Sequence, residues 1–251
     1  MVTASMPSAA ASEERQLRRE LAAAYRLAAH QGWDDQIATH FSARLSDGTF
    51  LLNPLGLLFE EITASSLIRV DMDGRVLSSG DLAMNPAAFT IHSAVLAARP
   101  DVHCVMHLHT RDGTAVSALA EGLLPLTQTA MIVRQDITYH DFEGIANDLD
   151  ERTRLQRDIG GKNLMILRNH GTLTVGATIA KAFYRMDFLE MACAMQVRAL
   201  GMGRDVTLPD PAVQDHVATQ SAIVFSDAVA DAHYWPAMLR KAERLFPGFD
   251  D

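Results

Sequence analysis

The run Val102-His103-Cys104-Val105-Met106-His107-Leu108-His109 reads as a strand, and the rest of the chain is best understood outward from it. In a strand successive side chains alternate faces, so Val105, His107 and His109 project one way and Cys104, Met106 and Leu108 the other. At about 3.3 Å of rise per residue, the two imidazoles start roughly 6–7 Å apart, close enough to converge on one divalent ion. His103 has the same parity but lies too far back along the strand to join them. A third imidazole must come from elsewhere, and Arg168-Asn169-His170-Gly171 offers one beside a glycine turn. A lone buried histidine is more often a hydrogen-bonded core residue than a ligand. Local physics leaves both options open here.

Around this strand the chain alternates between turn signals and periodic segments. A helix is expected from about Ser12 to His30-Gln31, with Glu13 and Glu14 at its positive end and Gly32 as its stop. Met1 to Ser12 reads as a frayed tail, with no signal peptide. Two hairpins follow: Ile37–Leu45 with Thr49–Asn53 across Asp47-Gly48, and Leu67–Asp71 with Arg75–Ser78 across Asp73-Gly74. A turn at Asn53-Pro54-Leu55-Gly56 and a short helical piece within Leu57–Ser66 separate them. Asn85-Pro86 starts a helix that runs to Ala98. Beyond the histidine strand come a helix over Arg111–Glu121, apolar segments at Leu124–Thr127 and Met131–Val133, and a charged helix over 145–158. A buried strand at Asn163–Arg168 then leads to His170, with Gly171–Val175 continuing the sheet. The longest helix is expected at Thr178–Leu200, where Ile179, Ala182, Phe183, Met186, Leu189, Cys193, Val197 and Leu200 fall at helical spacing. Hairpins with flanking helices, lacking regular βαβ alternation, predict an α/β fold: a three-layer α/β/α sandwich around a mixed, largely antiparallel sheet. The expected organisation is a tail over 1–12, one domain over 13–205 and a helical extension of it over 206–251.

Composition narrows the function. Of 251 residues, 48% are apolar and 21% charged, which is ordinary globular usage and enough for one large core. Twenty-two basic against 31 acidic side chains give a formal charge of −9, which argues against nucleic acid or anionic lipid as a partner. Cys104 and Cys193 fall in apolar periodic segments, so a disulfide framework is excluded by count and a reducing cytoplasm is the expected compartment. No stretch approaches 18 uninterrupted apolar residues, and no membrane span is expected.

From residue 15 to about 200 the chain resembles the class II aldolase/adducin family, which includes fuculose-phosphate aldolase and the adducin head domain. The resemblance is carried by Asn53-Pro54-Leu55-Gly56-Leu57-Leu58, Glu61-Ile62-Thr63-Ala64-Ser65-Ser66-Leu67 and His92-Ser93-Ala94. It continues through Ala98-Arg99-Pro100-Asp101, His107-Leu108-His109-Thr110 and Leu167-Arg168-Asn169-His170-Gly171. In detail the wording is closer to adducin heads than to the aldolases. The resemblance implies that His107, His109 and His170 hold a divalent metal, Zn²⁺ by expectation, with Fe²⁺ or Mn²⁺ as alternatives. It also implies a homo-oligomer, often a tetramer.

Two departures matter. The glutamate that serves the aldolases as base is replaced by Ala88, and the phosphate-binding positions become Thr39-His40-Phe41-Ser42, Leu55-Gly56 and Pro86-Ala87. Phosphorylated sugars are therefore not expected as substrates. His92, one helical turn beyond Ala88, and His40 are the candidate acid/base residues, each against a plain structural reading as a hydrogen-bonded core or surface histidine. Tyr139-His140-Asp141 resembles an adducin segment with no chemistry implied, and His233 and Tyr234 lie in a tail that lends pocket residues to some members. Three functions remain: a metal-dependent lyase on a non-phosphorylated carbonyl or carboxylate substrate, by retro-aldol cleavage or decarboxylation; an Fe(II) oxygenase or oxidative decarboxylase on the same site; and a non-catalytic, adducin-like binding module. A chain that stops soon after the fold, without adducin's long tail, favours an enzyme.

Overall fold

The computed structural model describes residues 8–78, 80, 82–146 and 148–251. In it β1 (His40–Arg44), β2 (Phe50–Leu52), β3 (Ile68–Val70), β4 (Cys104–Leu108), β5 (Ile137–His140), β6 (Leu164–Leu167) and β7 (Gly171–Gly176) form one sheet in the order β3-β2-β1-β4-β7-β6-β5. Every pairing is antiparallel except that of β5 with β6, so the sheet is mixed and largely antiparallel, as its hairpins predict.

Strand alternation decides what covers each face. Cys104, Met106 and Leu108 of β4 pack with Phe41, Ala43 and Leu51 against α1 (Ala9–Gln31), α6 (Ile179–Gly201) and α9 (Trp235–Leu245). Val105, with Leu173 and Val175 of β7, faces α2 (Pro86–Ala98) and α5 (Glu151–Ile159). These are the three layers of the sandwich. A one-residue slip of β4 would push His107 into the apolar layer beneath α1 and α6 while stranding Met106 and Leu108 on the other side. Each fully buried apolar side chain contributes about 1.5–3 kcal/mol, so the burial that sets the register also aims the histidines.

Local details follow from caps and turns. Helix α1 starts a turn earlier than Ser12 predicts, because the Ser8 hydroxyl accepts from Ala11 N at 3.2 Å and the alanines after it continue the helix. Residues 1–7 of the expected tail lie outside the described residues. Helix α2 begins as predicted, with Asn85 Oδ1 accepting from Ala87 N at 3.0 Å and Pro86 in the first turn. The second hairpin shrinks to a single bridge, Val70 with Val76, since Arg69 N donates next to the Ser78 hydroxyl instead of a backbone carbonyl. Helix α5 starts at Glu151, not 145: Gly144 takes φ +113° and Asp148 Oδ1 accepts from Asp150 N, turning the chain before the helix. Asn147, within that expected helix, lies outside the described residues.

Three elements differ from expectation more plainly. The helix after β4 is short, α3 (Arg111–Ser117), and the apolar segment near Met131 is α4 (Gln128–Arg134), capped by Thr127. Strand β5 has no counterpart in the sequence reading; it is a four-residue edge strand, only half-buried apart from His140. The C-terminal region is α7 (Pro211–Val224), then α8 (Asp227–Val229), which continues through a π-helical turn at Ala230–Tyr234 into α9. Among the described residues no helix is long and apolar enough to cross a membrane.

Candidate metal centre

His107 sits near the end of β4 and His109 just past it, while His170 occupies the turn between β6 and β7. Asn169 takes the left-handed conformation, φ +54°, and the His170 amide is held by Leu167 O and Ser117 Oγ, each at 3.2 Å. Gly171 lets this turn close onto β4. A Cβ there would lie 2.2 Å from Leu108 O and 3.1 Å from the His109 ring, so no other residue fits without moving backbone. The result is three imidazoles whose centroids are 4.7–4.8 Å apart.

Hydrogen-bond partners define which nitrogens are free. His107 Nδ1 lies 3.0 Å from Thr172 O, and a carbonyl only accepts, so the proton is on Nδ1 and Nε2 carries a lone pair. His109 Nδ1 donates in the same way to Asp35 Oδ2 at 3.0 Å. The two Nε2 lone pairs therefore face each other at 3.0 Å, an arrangement that repels unless a cation joins them. His107 itself resists taking up a proton, because burial and then the neighbouring imidazoles hold it well below the ordinary histidine range. His170 is lowered to about 4, chiefly by burial and next by His109. One ligand nitrogen from each ring lies within 4.8 Å of the others, against about 3.3 Å between nitrogens held tetrahedrally at ~2.0–2.1 Å from zinc. The donor set thus fits a divalent ion, with Asp35 and the Thr172 carbonyl fixing the ligand tautomers.

Beneath the cluster, Glu190 of α6 accepts from the hydroxyls of Thr172 (2.7 Å) and Thr110, the residues next in space and in sequence to the two strand histidines. Glu190 is buried, and desolvation raises its carboxyl to about 7 against the lowering effect of those two hydroxyls. Beside the cluster, the β1–β4 register pairs His40 with His107, with ring centroids 5.1 Å apart. His40 Nδ1 lies 2.8 Å from His92 Nε2, and His92 Nδ1 lies 2.5 Å from Ser42 Oγ. Both rings are buried and held neutral; burial lowers His92 to about 3 and His40 well below its ordinary value.

The three histidines open into a cavity of about 450 Å³ whose other walls include Ala38, His40, Pro86, Ala87, Ile91, Phe142, Gly144, Ile145 and Ala146. No lysine, arginine or carboxylate lines it among the described residues. Ala88 is fully buried in the apolar layer and does not line the cavity; neither does Leu55. His92 also stays out of the wall and reaches the cluster only through His40, while the Ser42 hydroxyl is taken by His92. His140 is bonded to Asp158 (2.7 Å) and Glu151 (3.4 Å); His233 is exposed, and the Tyr234 hydroxyl donates to Asp187. None of these three enters the cavity wall. A larger groove of about 780 Å³ between α1 and the C-terminal residues contains Arg15, Arg18 and Asp250, with no histidine or cysteine in its wall.

Asp35, the Thr172 carbonyl and the wall of Phe142, Gly144, Ile145 and Ala146 were not foreseen from the residues. Asp35 stands in a polar loop 74 residues from His109 and carries no local signal. Glu190 had one: it is a charge set among Met186, Leu189 and Cys193 on the buried side of the longest helix.

Comparison with known proteins shows the family and the fold. Residues 19–197 match the family model described as "Class II Aldolase and Adducin N-terminal domain". A putative aldolase class 2 protein of Caulobacter vibrioides is 52% identical, over 99% of this chain and 97% of its own length. Mouse alpha-adducin is 44% identical over 79% of this chain, a match that spans 28% of adducin. Among solved structures, an aldolase II superfamily protein from Pseudomonas syringae superposes with a TM-score of 0.91 at 44% identity, covering 98% of both chains. L-fuculose 1-phosphate aldolase from Glaciozyma antarctica follows with a TM-score of 0.80 at 28% identity, covering 97% of this chain and 94% of that one. The chain belongs to the class II aldolase and adducin N-terminal domain family.

Proposed function

We propose that this protein is a divalent-metal-dependent lyase that cleaves a carbon–carbon bond beside a carbonyl or carboxylate in a small, non-phosphorylated substrate. The observation that carries it is the cluster of His107, His109 and His170, the first two with tautomers set for ligation, at the wall of a cavity without cationic side chains. A bound ion, zinc by expectation, would polarise the substrate's oxygen and stabilise the negative charge that develops as the bond opens. The chain's own residues do the remaining work: Asp35 and Thr172 orient the ligands, and Pro86, Ala87, Ile91 and Phe142 give the substrate an apolar wall to pack against. Phosphate has no arginine, lysine or free hydroxyl to receive it at Pro86-Ala87, and Ala88 cannot move a proton. Retro-aldol cleavage and decarboxylation both suit this frame; decarboxylation needs no base to begin. We further propose a reducing cytoplasm, in keeping with the buried free thiols Cys104 and Cys193, and a homotetramer on the family pattern.

The 44% identity to alpha-adducin supports a second reading, a binding module that keeps the histidines without turnover. The zinc-reconstituted protein, offered 2-oxo acids, 3-oxo acids and hydroxy-carbonyl compounds with sugar phosphates as controls, separates the two. Release of carbon dioxide or aldehyde that falls at least about 10³-fold in His107→Ala supports the lyase. Substrate-dependent oxygen uptake by the iron-loaded protein would point to the oxidative alternative. Absence of any divalent ion, or unchanged turnover in His107→Ala, contradicts the proposal.

A further inference from the structure

We propose that Ser42, His92 and His40 form a one-way hydrogen-bond chain that fixes His40 as a neutral N–H donor to a substrate oxygen beside the three histidines. The inference takes its substrate oxygen from the lyase reading, but its proton positions rest on the protein alone.

Start at the closed end of the chain. Ser42 is fully buried, and the only side-chain or backbone partner of its hydroxyl among the described residues is His92 Nδ1, at 2.5 Å. If the Ser42 hydroxyl donates, Nδ1 of His92 is the acceptor and the single proton of the neutral ring is on Nε2. That N–H then donates to His40 Nδ1, 2.8 Å away, which leaves the proton of His40 on its own Nε2. Every donor but the last is satisfied inside the protein. In the opposite sense, His40 Nδ1–H would donate to His92 and His92 Nδ1–H to Ser42, and the hydroxyl hydrogen would be stranded, since the Ser42 hydroxyl has no other hydrogen-bond partner among the described residues. A buried unmade donor is disfavoured by its whole desolvation, roughly ten- to hundredfold in population, so the first sense prevails.

The last donor has somewhere to go. His40 is only 2% exposed, its Nε2 has no protein partner among the described residues, and the ring forms part of the cavity wall next to His107. Asn85, the other polar residue of that wall outside the cluster, uses its side-chain oxygen to cap α2. A donor at this position complements an oxygen that gains negative charge. A nitrogen that arrives protonated cannot remove a hydroxyl proton, so His40 does not replace the base lost at Ala88. Ser42 and His92 are positioning residues: they touch no substrate and act through the tautomer of His40.

Ring ¹⁵N–¹H correlation spectra of the full-length protein, metal-free and after Zn²⁺ addition, test the chain directly. The expected pattern is Nε2–H for both His92 and His40, unchanged at His40 by zinc, with Ser42→Ala turning His92 into a tautomer mixture. In a second arm, His40→Phe keeps zinc affinity within about threefold of wild type but weakens acetohydroxamate, an oxygen-donor probe of the loaded site, about tenfold; His40→Gln restores part of that loss. An Nδ1–H tautomer at His40, loss of its Nε2 proton on adding zinc, or a zinc affinity lowered more than tenfold in His40→Phe overturns the proposal, the last two by making His40 a fourth ligand. If wild type takes up no zinc, the lyase reading fails, while the metal-free spectra still decide the direction of the chain.

Discussion

Replacing Asp35 with alanine isolates the contribution of ligand orientation to metal binding. Asp35 Oδ2 accepts from His109 Nδ1 at 3.0 Å and touches no ligand nitrogen, so Asp35→Ala leaves three imidazoles in place. What changes is the tautomer: without the carboxylate, His109 is free to carry its proton on Nε2, where it cannot ligate. Losing such a partner generally costs 10–100-fold in metal affinity. Here the low end applies. The Asp35 side chain is 47% exposed, so water replaces much of its hydrogen bond and salt screens its charge. The expected loss is about tenfold in the zinc dissociation constant, and Asp35→Asn, which keeps a carbonyl acceptor, should lose no more than about threefold. Competition with a chelator of known affinity measures both, with thermal unfolding of the metal-free proteins as a control for folding. A zinc affinity in Asp35→Ala within twofold of wild type, with a folded protein, would refute the orientation role.

Three further outcomes follow from the packing. Gly171→Ala must displace Leu108 O from 2.2 Å, so it should cost about 2–4 kcal/mol in denaturant unfolding and weaken zinc binding as well; loss of neither would contradict the close approach. Ala88→Glu restores the aldolase residue by name only: with Ala88 fully buried among apolar side chains, it should destabilise the protein by about 3 kcal/mol or more and add no activity on sugar phosphates, which a coupled aldolase assay would check. Glu190 gives a pH dependence. Its carboxyl is raised in the folded state to about 7, so the folded protein holds the proton more tightly, and the associated stability is complete below the unfolded value and lost as pH rises through about 4.5 to 7. Unfolding of metal-free wild type and Glu190→Gln at pH 4.5 and 8 should therefore shift by about 3 kcal/mol in favour of the variant; equal differences at both pH values would refute it.

Much of this arrangement is visible in the residues, and the gaps have physical causes. Strand parity alone separates His107 from Met106 and Leu108, and the structure puts these on opposite layers. Asn85-Pro86 and Asp47-Gly48 mark a helix start and a hairpin because caps and tight turns depend on a few local atoms. By contrast, the bond from His109 to Asp35 joins loops 74 residues apart, and no local pattern encodes it. Strand β5 escaped because a short, half-buried edge strand has little hydrophobic alternation to display. Ala88 illustrates a subtler gap. Its identity shows that the carboxylate is gone, but only the fold shows that its Cβ lies in the apolar layer and that His40, on β1, lines the cavity instead.

The most direct test of the metal centre is a zinc titration of chelator-stripped protein, read by calorimetry and by X-ray absorption at the zinc edge. One ion per chain with imidazole nitrogens from His107, His109 and His170 is the predicted result, with stoichiometric binding abolished in His107→Ala and in His170→Ala. No stoichiometric binding by wild type, or the same affinity in wild type and both variants, would contradict it.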